Sequence, residues 1–450
     1  MNNNTTSTTP LLNDNNNNNA NIDKNFNFII QEDLPTHEIL AQYKKHVEER
    51  TYHHFGYPYN LSYNHEELSP FLRYSINNLG DPFVESNYGV HSRAFEQSVL
   101  QFFAKLWKIG PCPDEANAQN WSHDEYWGYV TNCGTEGNLY GILLGREQFP
   151  DAVLVSSRES HYSVSKAAKL YRMPEIRVPT LYTGEIDYAI LEKELIRNRE
   201  ETEDLSQGKK KRPVVMNVNI GTTVKGAVDN LDTILDIFKR TGYTEDEFFI
   251  HCDGALFALI LPFIEEALEV NFTKPVGSIS VSGHKFMGCP MPCGVTITRK
   301  RYVETLKSHI DYLNSVDTTI MGSRNGQASL YLWLTLRKKG TEGFAKDARK
   351  CLENAKYMEQ LLRDAGVGCL LNPHSNTIVL ERPKDEEFVK KWQLACEGTV
   401  AHCIVMPNVS REKISDFVQD YLEQRQRFPG VSCIAKHIGP QYCLCSNCKK

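Results

Sequence analysis

Four short stretches of this chain carry residues whose types and spacing could do chemistry. In SISVSGHKFMGCPMPCG (Ser278–Gly294), a strand-like run ends in Gly283, His284 and Lys285. Poor solvation there disfavours a lysine's ammonium form and frees a nucleophilic amine. In HCDGA, Asp253 follows the apolar run Phe248–His251 and precedes the small residues Gly254 and Ala255. A carboxylate at that place, with a flat face kept open beside it, could hold a protonated ring nitrogen. In TNCGTEGN (Thr131–Asn138), small polar residues come straight after a strand and open a helix. Backbone N–H groups and the helix dipole make such a terminus an anion site. In ESHYS (Glu159–Ser163), His161 again stands between strand and helix, where it could lie flat over a planar group. Each piece alone has a plainer reading: an ordinary strand-end lysine, an N-cap or surface turn at Asp253, a capped turn at Gly134 and Thr135, a structural histidine.

Together the four make one constellation in a fixed order: cradle, stacker, carboxylate, lysine. That set suits pyridoxal phosphate, which presents a phosphate, a ring face, a ring nitrogen and an aldehyde. Neither a P-loop nor a G-x-G-x-x-G run competes for the anion site. The order and the local sequences resemble the group II pyridoxal-phosphate-dependent amino-acid decarboxylases, and among them the plant-type serine decarboxylases, often labelled histidine decarboxylase. The runs that carry the resemblance are SINNLGDPF, ESNYGVHSR, EYWGYVTNCGTEGN, SRESHYSV, NVNIGTTVKGAVD, HCDGALF, VSGHKF with GCPMPCG, and TIMGSRNG. They span roughly Gly56 to Met406, and the two tails depart from the pattern.

The resemblance implies an α/β chain of the aspartate-aminotransferase-like fold (fold type I), with a mainly parallel central sheet and a smaller C-terminal α+β domain. It implies that Lys285 bonds to the cofactor aldehyde, that Asp253 keeps the pyridine nitrogen protonated, and that His161 stacks on the ring and also meets the substrate. Gly134 and Thr135, with Ser282 and His284, are expected at the phosphate. Asn132 and Thr222 are expected beside the ring, and Ala255 leaves room beneath it. Tyr88 and His91 are expected in the substrate pocket. The implied reaction is decarboxylation of an L-amino acid, with L-serine to ethanolamine favoured and L-histidine to histamine as the alternative. A homodimer with shared sites is also implied, in which Tyr312–Arg324 closes over the neighbour's cofactor; Gly322–Gly326 could equally be a turn anchoring the small domain. Another pyridoxal-phosphate reaction on the same fold, an aminotransferase or β-elimination, stays open on fold grounds.

Positioning such residues needs strands that end together. Apolar or β-branched runs at Tyr126–Thr131, Ala152–Ser156, Val214–Val218, Phe248–His251, Ser278–Ser282 and Gly294–Thr298 alternate with helical patterns at Glu136–Glu147, Ser163–Tyr171 and Leu231–Lys239. That alternation predicts a mainly parallel sheet covered on both faces, with ligands at the carboxyl ends of its strands. Helical spacing also marks Leu34–Tyr52, with Ile39, Leu40, Tyr43 and Val47 on one face, and Phe95–Ile109. A long helical pattern at Leu330–Ala365, interrupted near Gly340 and Gly343, leads to Asn376–Leu380, a helix near Glu386–Ala395, and Ala401–Met406. The divisions expected are a tail at 1–26, a helix and loop segment at 27–90, a large cofactor-binding domain at 91–328, a small domain at 329–435 and a cysteine-containing tail at 436–450.

The chain has 450 residues, 41% of them hydrophobic, and a net charge of −6. Ordinary Gly, Pro and aromatic content excludes collagen-like or wholly disordered chains. The mildly acidic balance argues against nucleic acid as a partner. No apolar run approaches the ~20 residues that span a bilayer. Met1–Asn21 is rich in Asn and Thr and lacks the basic start and apolar stretch of a secretory signal, so a disordered tail and a cytoplasmic location are expected. The thirteen cysteines then read as reduced thiols. Cys443, Cys445 and Cys448 offer three thiolates where a closed structural metal site takes four, so a flexible thiol-bearing tail without metal is expected.

Overall fold

The apolar runs pair into sheets whose order sets where the chemistry can gather. The structure, a computed structural model, describes residues 35–113, 118, 120–200, 212–430, 432–445 and 447–448. The tail expected at 1–26 lies outside them. The chain divides into two units, Met1–His53 and His54–Lys450. In the first, α1 (Thr36–Tyr52) forms where the spacing predicts a helix, yet none of its residues is buried.

In the second unit the order is α2 (Arg93–Leu106), β1 (Tyr126–Thr131), α3 (Gly134–Gln148), β2 (Val153–Ser157), α4 (Tyr162–Tyr171), β3 (Glu175–Val178), α5 (Tyr188–Glu200), β4 (Val214–Asn219), α6 (Leu231–Arg240), β5 (Phe248–Asp253), β6 (Ser278–Ser282) and β7 (Gly294–Arg299). These seven strands form one sheet in the order β1-β7-β6-β5-β4-β2-β3. All neighbours are parallel except β7, which runs antiparallel to both β6 and β1. The link from β6 to β7 contains no crossover helix, so the chain turns back beside β6. Because β7 reverses twice over, β1 points the same way as β6, and the carboxyl ends of β1, β2, β4, β5 and β6 share one edge.

Both sheet faces are buried, as expected for parallel strands. Val214, Met216 and Val218 of β4, with Phe248 and Ile250 of β5, join the main core. Val215 and Phe249 point the other way and pack with Tyr140, Leu144 and Val164 of α3 and α4.

The chain continues through the hairpin β8 (Ser308–Ile310) and β9 (Ser315–Asp317), then α7 (Gly326–Asp364), β10 (Cys369–Leu371), β11 (Thr377–Glu381), α8 (Glu386–Trp392), β12 (Ala395–Glu397), β13 (Val400–Ile404), α9 (Arg411–Arg427) and α10 (Ala435–Ile438). α7 breaks at Gly340, where φ is 58°. A second sheet, β10-β11-β13-β12, is antiparallel throughout. One face packs on α7 and α9 through Ile378, Leu380, Phe417 and Tyr421. The other, through Leu370, Val379 and Val400, is covered by the carboxyl-terminal segment. Among the described residues no helix is long and apolar enough to cross a membrane.

Candidate functional site

The shared strand edge opens on a cavity of about 430 Å3. Its lining includes Gly134, Thr135, His161, Thr222, Asp253, Ala255, Ser282, His284 and Lys285. Five strand ends supply them: β1 leads into Gly134, β2 into His161, β4 into Thr222, β5 ends at Asp253, and β6 ends at Ser282, three residues before Lys285.

The helix terminus after β1 has the form of an anion cradle. Cys133 is the N-cap of α3, and its side chain makes no capping bond. The first-turn amides are therefore not spent on a side chain of their own helix, as they usually would be. A Cβ on Gly134 would stand 2.5 Å from the Ser282 hydroxyl oxygen, so only glycine lets the terminus come this close to β6.

Lys285 has its amine pKa lowered from 10.5, first by burial, while the Asp253 charge works in the opposite sense. The depressed amine anticipated from sequence therefore has the cause anticipated for it. The His161 imidazole is also lowered from 6.5 by burial, with Asp253 opposing and Lys285 adding to the shift. Lysine, carboxylate and imidazole thus feel one another's charge across one cavity.

Asn138 joins these groups. Its Nδ2 donates to Asp253 Oδ2 at 2.7 Å and to Ser163 Oγ at 2.9 Å. Ser163 Oγ in turn lies 2.7 Å from His161 Nδ1. Asn138 Oδ1 accepts from Ser280 Oγ at 3.1 Å and meets His251 Nε2 at 3.0 Å. The amide oxygen can only accept, so the network assigns the His251 proton to Nε2 and leaves Nδ1 to the Ser278 hydroxyl at 2.8 Å. Burial holds His251 near 4, so it is neutral at physiological pH. α3 can cross this histidine only through Gly141, whose Cβ would lie 2.1 Å from Nδ1. Asp253 Oδ1 also receives the Ala255 amide at 3.2 Å, so this carboxylate is oriented from both oxygens.

The turns around the cavity are tied together. Lys225, in the turn after β4, pairs with Glu159, two residues before His161, at 2.7 Å. Thr222 Oγ1 accepts the Ala227 amide at 3.1 Å, which closes the G-T-T turn.

Three expected residues lie elsewhere in this chain. Asn132 does not line the cavity: its amide side chain donates to Glu136 Oε2 at 2.7 Å, within the start of α3. Tyr88 and His91 do not line it either. Tyr88 Oη donates to the Ser75 carbonyl at 3.2 Å, His91 is exposed, and the adjacent Asn87 amide bonds the Leu313 carbonyl at 3.0 Å, beside the β8–β9 hairpin. The Tyr312–Arg324 segment has two characters. Tyr312 at the hairpin tip is 81% exposed, whereas Arg324 is buried in an ion pair with Glu96 and donates to the Gly80 carbonyl at 2.9 Å.

Sequence reasoning missed other walls. Gly56–Tyr59, read only as loop, lines the cavity and docks on the lysine turn, with Asn60 N donating to the Lys285 carbonyl at 3.1 Å. Tyr59 lies 5.7 Å from the His284 ring. Thr377, His402 and Ile404 bring the small sheet to the same cavity. His402, the one polar residue in AHCIVM, was the available signal.

The profile of the pyridoxal-dependent decarboxylase conserved domain matches residues 35–379. The chain belongs to the pyridoxal-dependent decarboxylases. This decarboxylase is 52% identical over 417 residues to serine decarboxylase 1 of Oryza sativa subsp. japonica, covering 92% of this chain and 82% of the relative. It is 45% identical over 419 residues to histidine decarboxylase of Solanum lycopersicum, covering 91% and 95%. Among solved structures it resembles L-methionine decarboxylase from Streptomyces sp. 590, with a TM-score of 0.76 and 26% identity over 88% of this chain and 96% of that one. The decarboxylase uses pyridoxal phosphate, and its residues fit that group: an uncapped helix terminus for a phosphate, an oriented carboxylate for a ring nitrogen and a buried amine for an aldehyde open on one cavity.

Proposed function

We propose that this decarboxylase converts L-serine to ethanolamine and CO2, as a carboxy-lyase acting in a homodimer in the cytoplasm. The observation that carries the catalytic reading is the convergence of Lys285, Asp253, His161 and the α3 terminus on one cavity. Support for serine comes from the relatives. Three serine decarboxylases of rice are 52%, 47% and 46% identical, against 35% for the histidine decarboxylase of Vibrio anguillarum. The tomato histidine decarboxylase, at 45%, keeps L-histidine as the second reading.

Pyridoxal phosphate, when bound, supplies a conjugated ring that takes up the electron pair left on Cα as CO2 departs. Lys285 would hold its aldehyde carbon, Asp253 its ring nitrogen, and His161 one ring face. The amides of Gly134 and Thr135, with Ser282 and His284, would take its phosphate, and Thr222 and Ala255 would border the ring. Burial lowers the Lys285 amine, which favours the neutral form that a nucleophile needs. Asn138 fixes the Asp253 carboxylate, so its charge is aimed before substrate arrives.

Support for a second copy comes from the β8–β9 hairpin, whose tip residue Tyr312 is exposed. In a dimer the hairpin tip, with Tyr88 and His91 beside it, would reach the neighbouring chain's cavity, exclude water and serve the final protonation of Cα.

Incubating the cofactor-loaded protein with serine, histidine, tyrosine and glutamate, and weighing the amine products, tests the assignment. Ethanolamine and CO2 from serine are expected, and Lys285→Ala should lower the rate by at least about 100-fold. Histamine without ethanolamine would move the enzyme to the second reading, and a keto acid in place of CO2 would remove it from decarboxylation. Light scattering on the eluted protein should give twice the chain mass.

A further inference from the structure

Outside the catalytic cavity the carboxyl-terminal segment gathers four thiols that no step of the reaction uses. Sequence offered three of them, Cys443, Cys445 and Cys448. The fold adds Cys433 from the far side of α10, and the four sulfurs all lie within 4.8 Å of one another. Cys433 Sγ stands 3.8 Å from Cys448 Sγ and 4.0 Å from Cys443 Sγ. Four sulfurs bound tetrahedrally at about 2.3 Å from zinc are separated by about 3.8 Å. A disulfide would bring a pair to about 2 Å.

We propose that Cys433, Cys443, Cys445 and Cys448 form a structural zinc site that locks the carboxyl-terminal segment into the fold that covers the small sheet. Each thiol loses its proton to solvent as its sulfur–zinc bond forms, with no change of oxidation state. All four positions are filled by protein, which leaves none for a water or a substrate and makes the site structural rather than catalytic.

The surroundings suit that role. Cys443 and Cys445 are buried against Leu370, Val379 and Val400, with Ile434, just before α10, and Ile438 of α10 completing the patch. The Cys445–Cys448 pair has the C-x-x-C spacing of a metal-binding turn, and the Cys448 amide bonds the Cys445 carbonyl at 3.0 Å. The apolar patch alone is small: α10 has four residues, too few to hold its place by helix formation. A metal closing the span from Cys433 to Cys448 fixes it instead. Lys436 and His437 of α10 line a second cavity together with Glu159, His161 and Lys225, so the site also sets one border of the catalytic region.

The full chain, expressed without a polyhistidine tag and purified under reducing conditions, tests the site by elemental analysis. About one zinc per chain is expected. Cys433→Ser and Cys445→Ser should each cut it at least about tenfold, and Cys112→Ser should leave it unchanged. Cobalt exchanged into the unmutated chain should give the intense visible bands and near-ultraviolet thiolate charge transfer of a tetrahedral four-sulfur site, a readout that does not depend on how the variants fold. A zinc-free chain that also fails to bind cobalt would overturn the proposal. So would thiols found paired as disulfides by alkylation and intact mass, or zinc retained in both serine variants.

Discussion

At the scale of single residues, Asn138 holds a position that neither the lysine nor the carboxylate could fill. It gives its amide hydrogens to Asp253 and Ser163 and its oxygen to His251 and Ser280. Truncation to Asn138→Ala leaves buried partners unsatisfied, which costs about 1–3 kcal/mol for a group of this kind. Urea unfolding should register that loss, and titration with pyridoxal phosphate should show weaker binding because Asp253 is no longer aimed. The buried histidines add a pH dependence. Burial holds His251 and His402 near 4, against 6.5 for a free imidazole. Between those values the unfolded chain binds more protons than the folded one, so stability falls as pH drops from about 6.5 toward 4. Each histidine contributes up to about 3 kcal/mol to that slope. Unfolding curves across this window, repeated with His402→Gln, should show the slope and its reduction.

At the scale of elements, α3 does two jobs through one surface. Its first turn forms the cradle, and its underside crosses β5 and β6 closely enough that Asn138 reaches the carboxylate. Gly141 makes the crossing possible, since a methyl group there would lie 2.1 Å from the His251 ring. Gly141→Ala should lift the helix, at about 1–3 kcal/mol for overpacking of this kind. Because the same helix carries Gly134 and Thr135, cofactor affinity should fall with stability. Unchanged affinity in a destabilised Gly141→Ala protein would show that the cradle does not depend on this packing.

At the scale of the whole molecule, the cavity lies between the carboxyl edge of the large sheet and Thr377, His402 and Ile404 of the small one. A group bound there contacts both, so cofactor binding should stabilise the chain as one cooperative body. Pyridoxal phosphate at 100 times its dissociation constant should add about 2.7 kcal/mol to the unfolding free energy. Differential scanning calorimetry should then show one transition that moves upward with cofactor concentration; a second, unmoved transition would mean that the small sheet unfolds apart from the site.

The strands and the residues at their ends were legible in the chain itself, because local spacing reports local burial. The run Tyr126–Thr131 is β1 and Ser278–Ser282 is β6, residue for residue. The alternation of apolar runs with helices carried the mainly parallel sheet, and the small polar turns after those runs pointed to Lys285, Asp253, His161 and Gly134. Short edge elements such as β3 and β10 were missed, since three or four residues leave too little periodicity to read. What tertiary structure alone decided are the meetings between distant segments. The reversal of β7, the docking of Gly56–Tyr59 on the lysine turn, the bond from Asn138 to Asp253 and the arrival of Cys433 beside three later cysteines all join residues far apart in the chain. Asn132 shows the converse: its place in the run suggested the ring, and a nearer carboxylate took its side chain. Residue type fixes what a group can do, but its partner is whichever atom the packed chain brings within about 3 Å, and that distance is written in no stretch of sequence.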